Sequence, residues 1–282
     1  MIYTIQNEVL TIEINSLGAE MISVKMNGKE RLWQNENGGW NGHAPVLFPK
    51  CGDCSVVMDG NKSDMKNHGF ARSSEFSVVE KTENAILLKI SSNEETKAVY
   101  PYDFCLSVSY RLEGAKLYVG YDIYNPSDAP MYASCGSHES YTLAGEIDEY
   151  EAVFEKEEVF DSLVHDGNLH CLNGEVEKLG SGTVLKFPKA FMEDNTLIFK
   201  NVNSRKVTVR KIGGEKVMAL EFEGFPNLLF WHPAGSKMVC VAPWLNMPDD
   251  ISNPNKEFST RDGVQKIEPK QNKYFEHIIE YF

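Results

Sequence analysis

The sequence has no apolar run near the roughly 20 residues that a bilayer span requires. Its first residues, MIYTIQNEVLTIEI, lack the basic start and apolar centre of a secretory leader. The chain therefore reads as cytoplasmic, with no membrane partner. Positive charge is also scarce. Against 41 Asp and Glu stand 28 Lys and Arg, a net charge of −13, so phosphate backbones and anionic lipid are repelled unless basic residues gather in one patch. No such patch is visible, which argues against a nucleic-acid partner, and the acidity reads as a solvated surface. Six cysteines, at positions 51, 54, 105, 135, 171 and 240, are too sparse for a disulfide framework. Cys51 and Cys54 form a CxxC with no second pair. A structural zinc would need two distant ligands, so free thiols and no metal are expected. Helical periodicity is rare as well, with Glu155–His165 the best short helical piece.

What fills the chain is period-two alternation. In EMISVKMNGKERLW, Ile22, Val24 and Met26 share one face, and Asn27-Gly28 marks a tight hairpin because both turn positions take positive φ. Phe104, Leu106, Val108, Tyr110 and Leu112 alternate with polar or small residues; Glu113-Gly114 turns the chain; Leu117, Val119, Tyr121 and Ile123 alternate again, giving a second antiparallel hairpin. Further strands are expected at Leu10–Ile14, Phe76–Glu80, Ile86–Ser91, Val184–Phe187, Leu197–Lys200, Val207–Ile212, Val217–Glu223, Leu228–Trp231 and Met238–Val241. Strand upon strand at this spacing predicts an all-β fold, a large antiparallel β-sandwich. No repeat, low-complexity tract or linker divides it, so residues 1–282 read as a single domain.

Several polar segments are unlike plain sandwich strands. LWQNENGGWNGHAPVLFPKCGD (Leu32 to Asp53) carries two tryptophans and ends in a Pro-rich apolar run. NHGFAR (Asn67 to Arg72), ASCGSHESY (Ala133 to Tyr141), AFMEDNTLIF (Ala190 to Phe199) and NLLFWHPAGSKMVCVAPWLNMPDD (Asn227 to Asp250) follow. Together, in this order and over nearly the whole chain, they resemble the aldose 1-epimerase (galactose mutarotase) family, in particular its shorter branch. The resemblance implies a β-sandwich with a sugar cleft across one concave sheet. It also implies interconversion of the α and β anomers of a free, hexose-like aldose without metal or organic cofactor. Ring opening needs a base to take the anomeric hydroxyl proton and an acid to protonate the ring oxygen.

By that resemblance His138 matches the family's general acid, and an imidazole suits the task because its ordinary pKa of about 6.5 lies near working pH. His68 matches the histidine that hydrogen-bonds the sugar near its ring oxygen. Arg72 would share a face with Phe70 if the chain there is extended, as a sugar contact or half of an ion pair. Aromatic rings stack on pyranoses, so Trp33, Trp40, Trp231 and Trp244 invite that role, although tryptophans in a large β protein are more often packing; Trp244 is the one singled out. His232, beside Trp231, is a secondary candidate.

The sequence also departs from the family. Where the family has a glutamate before a proline, its general base, VCVAPWLN places Ala242. The sugar-contacting aspartate is matched by Asn195, or by Asp194 if the register slips by one. The arginine after the FP run has Lys50 as its nearest counterpart. Two readings follow besides a working epimerase: a noncatalytic carbohydrate-binding sensor or carrier, or an enzyme in which Asp53, Asp249 or Asp250 replaces the base. No Arg/Lys cluster suited to a phosphorylated sugar is apparent.

Overall fold

The computed structural model describes residues 1–36, 40–53, 56–165, 171–189, 191, 195–252 and 256–282, with Cys171 and Asn195 described for the backbone only. Both hairpins are present. Asn27 and Gly28 adopt φ of 50° and 79° and join Glu20–Met26 to Lys29–Glu30. Residues 114 and 115 join Cys105–Glu113 to Lys116–Tyr124. Alternation becomes burial: Leu106, Val108, Tyr110 and Leu112 lie inside beside Leu117, Val119, Tyr121 and Ile123.

Among the described residues these strands belong to a ten-stranded sheet. Its order is Asp249–Asp250, Cys171–Lys186, Tyr150–His165, Lys206–Lys211, Lys216–Glu221, Asn272–Tyr281, Lys116–Tyr124, Cys105–Glu113, Ala85–Ser91, Ser77–Lys81. Neighbours are antiparallel except Asp249–Asp250, which runs parallel to Cys171–Lys186. A four-stranded antiparallel sheet, Glu139–Thr142, Met238–Trp244, Asn227–His232 and Asn195–Phe199, packs against it through ring contacts such as Phe230 with Phe154 and Tyr141 with Tyr281. The N-terminal sheet, Ile2–Gln6 to Lys29–Glu30, adds Ile5, Ile12 and Ile14 to the same core. The fold is the large antiparallel β-sandwich that the alternation predicts. The other strand expectations overlap observed strands, but Val184–Phe187 catches only the last three residues of Cys171–Lys186, and Met238–Val241 stops three residues short of Trp244.

The expected helix at Glu155–His165 is wrong. These residues form most of the strand Tyr150–His165, between Cys171–Lys186 and Lys206–Lys211. The pairing with Cys171–Lys186 shifts register three times, between Val153 and Glu158, Val159 and Asp161, and Leu163 and His165. Each shift interrupts the period of two, which hides a strand from pattern reading. The acids that mimic a helix face are acceptors for a neighbouring loop: Glu158 takes the N–H groups of Asn203 and Ser204, and Glu155 that of Arg205. The α-helix that does form, Glu94–Val99, is started by a capping box between Asn93 and Thr96. Among the described residues no helix is long and apolar enough to cross a membrane. Cys105, Cys135 and Cys240 are free thiols; Cys51 is buried, and Cys54 lies outside the described residues.

Candidate functional site

Strand register decides what each face of the four-stranded sheet displays. Directly paired residues point the same way, so Ser140, Cys240, Trp231 and Thr196 form one row and Ala242, Leu229 and Ile198 the next. Trp244 follows Ala242 on that face, and His138 precedes Ser140 by two residues. The opposite face, carrying Tyr141, Val241, Phe230 and Leu197, belongs to the main core.

His138 is 9% exposed. Its Nδ1 lies 3.2 Å from the Cys240 sulfur, and its ring centroid is 5.0 Å from Trp40 and 5.6 Å from Trp231. His68 arrives from a loop. It has a φ of 63°, unusual for a non-glycine residue, followed by Gly69 at 76°. A Cβ on Gly69 would fall 2.1 Å from the Phe48 carbonyl oxygen, so only glycine fits there. Gly52 secures the turn: its carbonyl accepts the His68 N–H, and its own N–H donates to His68 Nδ1, both at 3.0 Å. That second bond leaves the His68 proton on Nε2. The two imidazole centroids are 5.5 Å apart, and Trp244, whose indole N–H donates to the Ser137 carbonyl, lies 5.3 Å from His68. Gly136 lets that indole approach, because a Cβ there would stand 2.7 Å from it.

Both rings are neutral at ordinary pH. Burial pushes His138 down to about 4, although the Glu139 carboxylate opposes it. Burial also holds His68 well below the usual imidazole range, with the charges of His138, Arg72 and Lys50 adding to the effect. Lys50 is completely buried.

The remaining sequence candidates divide. Residues 71–73 form a short 3-10 turn instead of the extended run that would align Arg72 with Phe70. Phe70 packs with Phe48, Tyr100 and Phe104 while Arg72 is exposed, its charge still bearing on both imidazoles. His232 is not brought to the histidine pair. It alternates with Trp231 and so points to the opposite face, with Nδ1 2.8 Å from the Met238 carbonyl oxygen and its ring against Phe191. Asn195 pairs with His232 at the start of its strand, and Asp194 lies outside the described residues. Of the substitute bases, Asp249 forms a buried ion pair with Arg261, and Asp250 accepts the N–H and hydroxyl of Ser252. Asp53 adjoins Gly52, the partner of His68. Sequence reasoning passed over Cys240, whose only signal was its two-residue spacing from Ala242 on an alternating strand.

Behind His138, on the core face, Glu139 is buried. It accepts from Ser137 and lies 2.9 Å from Nε2 of His277, which is wholly enclosed and stacked on Tyr121. Burial alone would raise the Glu139 carboxyl, but His277 and Ser137 outweigh it and hold it below the ordinary range.

Two largely antiparallel sheets packed face to face, with paired histidines and tryptophans on the outer side of the smaller sheet, define the class of the fold, a large β-sandwich. The chain matches the aldose 1-epimerase family over residues 1–264, and it belongs to that family. It is 28% identical over 273 residues to the LacX protein of Lactococcus lactis, covering 90% of this chain and 91% of that one. A galactose mutarotase-like protein from Lactobacillus casei superposes with a TM-score of 0.91 at 25% identity, each chain covered completely. A galactose mutarotase related enzyme from Lactobacillus acidophilus gives 0.86 at 23%, covering 100% of this chain and 97% of that one.

Proposed function

We propose that the chain works as a single domain that binds a hexose-like aldose against the adjoining edges of His68 and His138, and that its mutarotation is slow because Ala242 occupies the base position. The observation that carries this reading is the histidine pair, centroids 5.5 Å apart, with Trp40, Trp231 and Trp244 against the two rings. Aromatic faces suit the C–H faces of a pyranose, and the imidazoles supply directional hydrogen bonds.

In the full reaction a base removes the anomeric hydroxyl proton, the bond from C1 to the ring oxygen breaks, and an acid protonates that oxygen. Rotation about C1–C2 and reclosure give the other anomer. Here the acid and the base are both compromised. The Ala242 methyl cannot accept a proton, and burial, which outweighs the pull of the Glu139 carboxylate, leaves His138 without an extra proton at neutral pH. A glutamate at position 242 would supply the base and, by its charge, raise His138 toward the range useful for an acid. The same observation favours the second reading, a carbohydrate-binding protein with little turnover.

Polarimetry on freshly dissolved α-glucose and α-galactose, beside calorimetric titration of the same sugars, separates the readings. Binding with a rate near the spontaneous one is expected. Rapid mutarotation by the unmodified protein would show that another base serves the site, with Asp53 the first to replace.

A further inference from the structure

His68 and His138 meet through rings that are anchored differently. The Nδ1 of His68 takes a backbone N–H from Gly52. The Nδ1 of His138 faces a thiol 3.2 Å away, with Cys240 1% exposed. This contact is set by the sheet. Ser140 and Cys240 are directly paired, and His138 lies two residues along on the same face, so the ladder holds the thiol beneath the ring. A buried thiol has one proton to place, and an unprotonated imidazole nitrogen is a far better acceptor than sulfur. The buried Ser140 hydroxyl stands across the ladder from the same sulfur, within reach to donate to it and so opposing the rise of the thiol.

We propose that Cys240 is a positioning residue: its S–H donates to His138 Nδ1 and leaves Nε2–H as the donor available to a ligand. The inference rests on the reading of His138 as a sugar-facing group. It gives both imidazoles the same tautomer, one through a backbone amide and the other through a side chain. Burial raises the Cys240 thiol well above its ordinary range, so the pair is a neutral thiol and a neutral imidazole, with no thiolate to act as a nucleophile.

The test is ¹⁵N NMR of the imidazole nitrogens in histidine-labelled protein. The unmodified protein should show His138 with its proton on Nε2. Cys240→Ala should mix the tautomers and move the His138 titration, and Cys240→Ser, which keeps a donor, should restore the single tautomer. Calorimetry with galactose should show affinity falling about 2- to 12-fold in Cys240→Ala, the loss of about one hydrogen bond, with recovery in Cys240→Ser. A proton on Nδ1 in the unmodified protein, held by the carbonyl of His138 itself, would overturn the inference. So would an unchanged tautomer in Cys240→Ala. Galactose added to the unmodified protein tests the underlying reading separately: His138 signals indifferent to sugar would count against the sugar site while the tautomer result stood.

Discussion

The two faces of the four-stranded sheet share their backbone and differ in almost everything else. Leu197, Leu228, Phe230 and Val241 on one face meet the ten-stranded sheet and are interchangeable in kind, since any side chain of the right volume fills such a core. On the other face His138, Cys240, Ala242, Trp231 and Trp244 are each defined by what one particular neighbour needs. A residue of the first face matters through its size. A residue of the second matters through its atoms, which is why, on the proposed function, a methyl at position 242 would change the chemistry while leaving the strand around it undisturbed.

The largest effect should come from breaking that contrast at Ala242. Ala242→Glu is expected to raise the mutarotation rate by about 10²–10⁴-fold, followed by polarimetry, with His138 titrating nearer neutrality by NMR. Unchanged thermal unfolding is the control, because the glutamate must fit beside Leu229. On the core face, Phe230→Ala should cost about 3–5 kcal/mol in denaturant unfolding, since the side chain is wholly buried among Phe154, Phe187 and Phe199. Trp231→Ala, half-buried on the other face, should cost less stability and weaken sugar binding instead. Equal stability losses for the two would erase the distinction.

Acid should act through the site face. An unfolded chain protonates His138 near 6.5 and the folded one only near 4. The stability gained by keeping it neutral is therefore complete above about pH 6.5 and is lost as pH falls toward 4, a difference on the order of 3 kcal/mol. His138→Gln should flatten that part of the unfolding profile; an unaltered acid limb would refute the assignment. The smallest effect concerns binding: replacing His68 and His138 together by alanine should weaken galactose affinity roughly 5- to 150-fold by calorimetry, two hydrogen bonds' worth, with the fold retained.

Much of the scaffold is legible in sequence because it is local. Asn27-Gly28 and Glu113-Gly114 announce their hairpins, and regular alternation announces the flanking strands. Tyr150–His165 is not legible, because bulges break its period and its acids are committed to a loop more than 40 residues away. The site divides the same way. His68 and His138 stand out by resemblance, whereas the link between Cys240 and His138 spans 102 residues and exists only once the sheet is paired. Alternation also settles His232 against Trp231, but only after the register is known.

The buried Glu139–His277 pair guards that register. Sliding Glu139–Thr142 by one residue along Met238–Trp244 would turn His138 into the hydrocarbon interior and bring Glu139 out beside the tryptophans, exchanging the roles of the two surfaces. Such a slip separates Glu139 from His277 and leaves a carboxylate without its partner, a loss of about 3–5 kcal/mol. The pair thus behaves as a keying pin: it lies on the core side, behind His138, yet it favours a single alignment of the strand that presents that ring.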